Sequence, residues 1–157
     1  MEELVRIARR STLPEGDDYL SLLEEVTRVL DQEDPEYRPR DDKNRPGGLI
    51  YLKDLPTIVI PDLHGRMDFI LRVLNYTPGE VPVFQLLQRG QVQVVCVGDG
   101  FHGEARAAER WKRAFKEFVG HYRKHRAMDE EMRESLGLME MVMRLKVAFP
   151  EYFHFLL

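Results

Sequence analysis

The sequence predicts an α/β fold with a mostly parallel sheet and flanking helices. Two apolar, β-branched runs each lead to an acidic residue: residues 57–60 precede Asp62, and residues 92–97 precede Asp99. Such runs are typical of buried strands. The segment between them is long enough for a helical crossover, which joins parallel neighbours in a sheet. Both strands should therefore end at the same edge, where open α/β sheets bind their ligands.

The turn after the first strand carries a carboxylate and an imidazole, Asp62 and His64, two positions apart. Carboxylate oxygen and imidazole nitrogen together suit Zn, Mn, Fe or Ni better than Ca. Taken alone, this pair indicates a metal half-site or a solvated turn about equally well. Asp99 at the end of the second strand favours the metal site, and we predict Asp62, His64 and Asp99 as its ligands.

The motifs P-D-L-H-G and V-G-D resemble the first two motifs of the calcineurin-like metallophosphoesterases, which include the serine/threonine phosphoprotein phosphatases. The resemblance covers roughly Thr57 to Glu104 and the strand at the chain end. It implies that Asp62 and His64 hold the first metal and that Asp99 bridges to a second. A complete domain would then hydrolyse a phosphate ester with two divalent ions, chosen from Mn, Fe, Zn and Ni.

The sequence departs from the family pattern at both motifs. Pro61 stands where the first motif usually has Gly, and the second motif of the protein phosphatases, G-D-x-x-D-R-G, has His102 for its second Asp and Gly103 for its phosphate-contacting Arg. These changes favour a branch other than the mainstream protein phosphatases. His102 and Arg66 are the candidate catalytic residues. The alternatives are a loop histidine and a solvated first-turn arginine.

We divide the chain into an N-terminal helix and loop, residues 1–48, and a partial metallophosphoesterase α/β sandwich, residues 49–157. Residues 152–156 predict a third strand, which in the family leads into a G-N-H-[DE] motif with a second-metal Asn and a general-acid His. We therefore interpret the chain as the amino-terminal half of such a domain and expect it to be inactive alone. The alternative is a truncated or degenerate member that serves as a non-catalytic metal-binding or scaffold module.

Apolar periodicity and turn residues predict the other elements. These are a brief helix or arm within residues 1–16, helices at 17–32, 66–75, 83–89, 104–126 and 129–149, and a hairpin between strands at 49–52 and 57–60.

Several side-chain patterns favour structural interpretations over functional ones. The aromatic stripe of helix 104–126 is predicted to be buried core. The acidic residues of 31–34 are predicted to form a solvated helix end. His121 and His125 have the spacing of a metal pair, but a solvated basic helix end is the preferred interpretation. Cys96, the single cysteine, is predicted to be a small core residue.

The composition of this 157-residue chain indicates which classes of partner to expect. Its 43% hydrophobic and 32% charged residues are typical of a soluble globular protein, and its net charge of −4 gives no reason to expect nucleic acid. No apolar run approaches the roughly 20 residues that span a bilayer, so we expect a cytoplasmic protein without a membrane partner. A phosphorylated substrate is the expected ligand. Because the helices can cover only one sheet face, we also predict a homodimer through the uncovered face, or pairing with a fragment that supplies the missing half. The alternative is that the N-terminal helix and the loop of residues 33–48 fold over that face.

Overall fold

The computed structural model describes residues 1–156 and shows helices packed around a parallel sheet. A short 3-10 turn, Ala105–Ala107, precedes the fifth helix. The elements in chain order are α1 (Glu2–Arg9), α2 (Gly16–Asp31), β1 (Thr57–Ile60), α3 (Met67–Asn75), α4 (Val83–Gln88), β2 (Gln93–Cys96), α5 (Ala108–Val119), α6 (Arg126–Ala148) and β3 (Phe153–Phe155). No helix in the described part of the chain combines the length and the apolar character needed to cross a membrane.

The three strands form one parallel sheet in the order β1-β2-β3. Helices α3 and α4 connect β1 to β2, and α5 and α6 connect β2 to β3. In register, Ile60 lies opposite Cys96, and Cys96 opposite Phe155. The predicted α/β class and the parallel pairing of the two motif strands are confirmed, and so is the third strand.

One face of the sheet forms the main core. Ile60, Val94, Cys96 and Phe153 are buried there. Since side chains alternate between faces along a strand, these residues share one side of the sheet. They belong to one apolar cluster with residues of four helices, Ile7 of α1, Leu74 of α3, Leu87 of α4, and Leu138 and Met141 of α6.

The opposite face is covered in part by the loop of residues 33–53. The Gln93 side chain donates to Lys53 O over 2.7 Å and to Thr57 Oγ1 over 2.8 Å. The ring of Tyr37 contacts His154 edge-on at 6.1 Å between centroids. Farther along the same face, Val59 and Val97 remain 61% and 48% exposed. On this face Gln93, Val95 and His154 are therefore buried, whereas Val59 on the edge strand β1 and Val97 just after β2 stay exposed.

The predicted hairpin between 49–52 and 57–60 is wrong. Residues 49–52 form no strand, and β1 pairs with β2 alone among the described elements. The backbone of this segment is bonded elsewhere, since Tyr51 N donates to Tyr37 O over 2.7 Å and Lys53 N to the side chain of Gln93. These bonds hold the loop against itself and against the sheet face, so it does not extend the sheet edge.

A buried ion pair anchors this loop to α6. Glu33 is 3% exposed and pairs with Lys146, itself buried, and with Arg38 Nη1 at 2.7 Å. Burial lowers the pKa of Lys146, an effect that the adjacent Glu33 carboxylate opposes. The interpretation of residues 31–34 as a solvated helix end is therefore wrong for Glu33, whose partner comes from a distant helix.

The aromatic stripe of α5 is exposed, against expectation. Phe115 and Phe118 are 64% and 57% exposed, whereas Ala114 is 1% exposed. The helix packs on α6 through its small and charged side, so its larger side chains face outward. It is also shorter than predicted, because it ends at Val119 before Gly120 and two residues of positive φ, His121 and Tyr122.

Candidate metal centre

The turns after β1 and β2 are bonded to each other at the carboxyl edge of the sheet. Leu63 N and His64 N both donate to Asp99 O, over 2.7 and 2.9 Å, and Gly65 N donates to Gly100 O over 3.0 Å. Parallel pairing of β1 and β2 brings the turns together, and these bonds then fix their relative position. The predicted convergence of the two motifs is confirmed at the level of the backbone.

Three ligand-type side chains meet above these turns: His64, Asp99 and His102, which we call the His-Asp cluster. One ligand atom from each lies within 4.8 Å of the others. Asp99 Oδ2 is 3.2 Å from His102 Nδ1 and 4.0 Å from His64 Nδ1. Two imidazole nitrogens and a carboxylate oxygen form a donor set typical of Zn and other divalent transition metals.

His64 carries the strongest sign of a ligand site. Its side chain is 16% exposed, and its Nδ1 is buried without a hydrogen-bond partner in residues 1–156. Its other nitrogen, Nε2, lies 3.1 Å from Glu104 Oε1. Buried nitrogens normally have partners, and metal-bound histidines commonly donate their second ring N–H to a carboxylate. The residues present therefore fit a divalent metal on the Nδ1 side of His64.

Both histidines of the cluster have strained backbones. His64 has φ 46° and His102 has φ 28°, in the left-handed region that non-glycine residues rarely adopt. The surroundings hold these conformations: Arg106 Nη2 donates to His64 O over 2.9 Å, and Asp99 Oδ1 accepts from Phe101 N over 2.7 Å. Backbone strain of this kind concentrates at functional sites.

Asp62 lies beside the cluster but outside the closest group. Its Oδ2 is 3.7 Å from His64 Nε2, and its side chain is 60% exposed. The carboxylate packs directly on Gly98, where an added Cβ would lie 1.4 Å from Asp62 Oδ1. The glycine of the second motif therefore makes room for the aspartate of the first. A ligand role for Asp62 stays a prediction.

The two candidate catalytic residues are placed differently. His102 belongs to the His-Asp cluster, as described above. Arg66 precedes α3 with its guanidinium 5.3 Å from the centre of the Phe69 ring. The arginine that contacts the His64 turn is Arg106, so a phosphate-binding role for Arg66 stays a prediction.

Sequence reasoning missed the buried carboxylate that supports His102. Glu131 of α6 is 1% exposed and accepts a hydrogen bond from Gly103 N, next to His102. Arg110 of α5 donates to Glu131 through Nε over 2.8 Å. Because α6 reaches the His102 loop through this carboxylate, the loop position depends on helix packing as well as on the sheet.

A second carboxylate of α6 supports the His64 turn. Glu134 pairs with Arg106 at 2.8 Å and with Arg110 at 2.9 Å, and Arg106 in turn donates to His64 O. Burial opposes ionisation of Glu134, but hydrogen bonds from the two arginines outweigh it and hold the pKa of this carboxyl below its usual value. Nothing in the local sequence signals this role, since charged residues on helices are usually solvated.

The other candidate groups lie apart from the cluster. His125 Nδ1 is 2.7 Å from Asp129 Oδ2, and both His121 and His125 are exposed. Cys96 is buried, and burial raises the pKa of its thiol to about 12, which suits a core residue and not a nucleophile.

No protein-family model, curated protein or solved structure matches this chain. The case for a function therefore depends on the residues and geometry of the cluster.

Proposed function

We propose that the chain binds a divalent transition metal at the His-Asp cluster and provides the first half-site of a metal-dependent phosphoesterase of the calcineurin-like type. The observation that carries the proposal is the buried, unpartnered Nδ1 of His64, with Asp99 Oδ2 on the same side and Glu104 on the other ring nitrogen. In a complete domain of this type, Asp62 would join the ligands, and a second divalent ion would complete the centre.

The chain's own residues would hold and orient the ion. A divalent cation supplies a Lewis acid that activates water and withdraws charge from a phosphoryl oxygen. Asp99 offers Oδ2 to the cluster, while its Oδ1 is engaged by Phe101 N. Glu104 fixes the ring of His64, and the bonds between the two turns keep His64 and Asp99 in register.

Two other arginines lie close to the position at which the family motif has its phosphate-contacting arginine. At Gly103, where the motif has Arg, an added Cβ would lie 2.7 Å from Ala107 Cβ, so the position has no room for a larger side chain. The guanidinium nitrogens of Arg110 and Arg106 lie 3.1 and 3.6 Å from that Cβ position. Arginines of the following helical segment therefore occupy the space beside the loop.

A second candidate function is a non-catalytic metal-binding module. It is favoured by the ion pairs of these same arginines, since Arg106 is bound by Glu134, and Arg110 by both Glu131 and Glu134. Their charge is compensated within the protein, which weakens their attraction for a phosphate. Metal binding is common to both candidates, and phosphate chemistry separates them.

Calorimetric titration with Mn²⁺ tests the shared part. We expect one site in the unaltered protein, loss of that site in Asp62→Asn combined with Asp99→Asn, and weakened binding in His102→Ala. His121→Ala is the matched control, because it removes an exposed histidine outside the cluster, and it should bind Mn²⁺ normally. Unchanged binding in the double variant would refute the assignment.

Titration of the Mn²⁺-loaded protein with inorganic phosphate separates the two candidates. Metal-dependent phosphate binding that is lost in the Asp99→Asn protein supports the phosphoesterase half-site, and normal Mn²⁺ binding without phosphate binding supports the metal-binding module instead. Under either candidate, p-nitrophenyl phosphate assays of this chain should show negligible turnover, and robust turnover that depends on Asp99 would refute the interpretation of the chain as half of a domain.

A further inference from the structure

Helix α5 and the turn that follows it present an apolar surface to solvent, which we call the α5 aromatic face: Trp111, Phe115, Phe118, Val119 and Tyr122. Phe115, Val119 and Phe118 are 64%, 62% and 57% exposed. The rings are contiguous, with centroids 6.3 Å apart for Phe115 and Phe118 and 5.9 Å for Phe118 and Tyr122. A helix normally buries such a stripe, so its exposure indicates a binding surface.

Basic side chains surround this face. Residues 112–126 contain six Lys or Arg and a single Glu, in a chain whose net charge is −4. Arg113, Lys116, Arg123 and Lys124 are exposed, and none forms an ion pair with another described residue. With a helical period, Lys112 and Lys116 lie beside Val119 at the border of the aromatic face. The positive charge is therefore concentrated next to the apolar surface.

The opposite side of α5 is attached to the body of the protein. Ala114 is buried against this body, and Arg110 is paired with two carboxylates of α6. The Glu117 side chain accepts from Ala127 N and Met128 N, over 2.9 and 3.0 Å, at the start of α6. The aromatic face is thus presented by a fixed helix, and contact with a partner requires no unfolding.

We propose that the α5 aromatic face docks on the surface of an anionic phospholipid bilayer. Amphipathic helices with aromatic side chains on one face and Lys or Arg beside them lie in the membrane interface, held by apolar burial and by attraction to anionic lipid. Phe115 and Phe118 would enter the acyl boundary, and Lys116, which forms no ion pair with another described residue, would reach lipid phosphates with its long side chain. Binding of this kind requires no membrane-spanning segment.

The charge and shape of the α5 aromatic face disfavour two other partners, a second copy of the chain and single-stranded nucleic acid. In a two-fold contact with a second copy, the same surface meets itself, so two sets of unpaired lysines and arginines would face each other. Single-stranded nucleic acid binds in grooves, where it stacks on open ring faces. Here Phe115, Phe118 and Tyr122 pack edge or tilted against one another on a convex helix, and Val119 offers no ring for stacking.

Vesicle binding of the full chain tests the proposal. We expect co-sedimentation with equimolar phosphatidylcholine and phosphatidylglycerol vesicles, and little with phosphatidylcholine alone. Trp111, the single tryptophan, reports insertion directly through a blue shift of its fluorescence. Raising the salt from about 0.05 M to about 0.5 M should weaken binding, because screening shortens the range of the charge attraction.

Two pairs of variants locate the surface. Phe115→Ser with Phe118→Ser should weaken vesicle binding about tenfold or more, since two phenylalanine side chains no longer leave water. Tyr76→Ser is the control, because Tyr76 is 61% exposed elsewhere. Lys116→Gln should reduce binding to the anionic vesicles, whereas Lys43→Gln, in a distant exposed loop, should not. Circular dichroism melts verify that each variant folds.

Several results would overturn the proposal. These are no binding to anionic vesicles, equal binding to both vesicle types, or unchanged binding in the double phenylalanine variant. Preferential binding of a single-stranded oligonucleotide through the same residues would assign the face to nucleic acid. Self-association detected by light scattering and lost in that variant would assign it to a second copy.

Discussion

Glu131 lies where it would position a ligand of the proposed metal centre, so its substitution by Gln should weaken metal binding. The carboxylate is 1% exposed, accepts from Gly103 N beside His102, and pairs with Arg110. Glutamine has nearly the same shape but no charge, so the change weakens these bonds without creating a cavity. Loss of residues that orient metal ligands typically reduces metal affinity by about 10- to 100-fold.

The cost in folding stability should be moderate. Breaking a buried ion pair so that one charge is left alone costs about 3–5 kcal/mol. In this case Arg110 keeps Glu134, at 2.9 and 3.0 Å, so its charge stays paired. The change is then closer to the loss of one hydrogen bond to a charged group, about 2 kcal/mol. For a chain of this size, that corresponds to a fall in Tm of roughly 4–8 °C.

Glu140→Gln is the matched control, because it makes the same change on the same helix. Glu140 pairs with Arg10 at 2.6 Å and is 9% exposed. Its carboxylate is bonded to α1 and not to either histidine turn. Both variants should show a fall in Tm, at least as large in Glu140→Gln because Arg10 has no second carboxylate partner among the described residues. Mn²⁺ titration should show a loss of affinity in Glu131→Gln alone. Equal Mn²⁺ affinity in the two variants would refute the positioning role.

Two further predictions concern Gly98 and His154. Gly98→Ala should displace the Asp62 carboxylate and weaken Mn²⁺ binding, because the new Cβ would lie 1.4 Å from Asp62 Oδ1; normal binding would show that Asp62 is not a ligand. Burial, aided by Lys146, lowers the pKa of His154 from 6.5 to about 4. Between these values the unfolded chain binds the proton and the folded chain does not, so stability should fall on acidification, by on the order of 3 kcal/mol. Urea denaturation across this pH range should show a flatter dependence in His154→Phe, and an equal slope would refute the assignment.

The parts of the fold that could be predicted are those with local signals. The apolar runs of β1, β2 and β3 and the turns after them indicate strands, and the crossover rule gives their parallel arrangement. The same rule predicts that Asp62, His64 and Asp99 share one sheet edge. These inferences need only chain order and side-chain period, so they hold without knowledge of the packing.

The features that the sequence does not predict depend on tertiary packing, that is, on which helices, strands and loops contact one another. A helical period shows that α5 has an apolar face but not that a partner covers it, and α6 contacts the side with Ala114 instead. Similarly, Glu33 looks solvated beside Pro35 until folding brings Lys146 to it. The place of His102 in the cluster depends on φ 28°, a conformation that a histidine gives no local reason to expect. Tertiary contacts decide all three outcomes.

Gly103 connects these observations, since its backbone receives bonds from two helices. Its N–H donates to Glu131 of α6, and its carbonyl accepts from Trp111 Nε1 of α5 over 3.2 Å. The loop that carries His102 is therefore fixed from both sides by helices, while His64 is fixed by Arg106. A side chain at position 103 would collide with Ala107. An arginine at position 103 is therefore incompatible with the path of the helical segment that follows. The absence of a side chain at position 103 therefore leaves room for the segment that places Arg106 and Arg110 beside the loop.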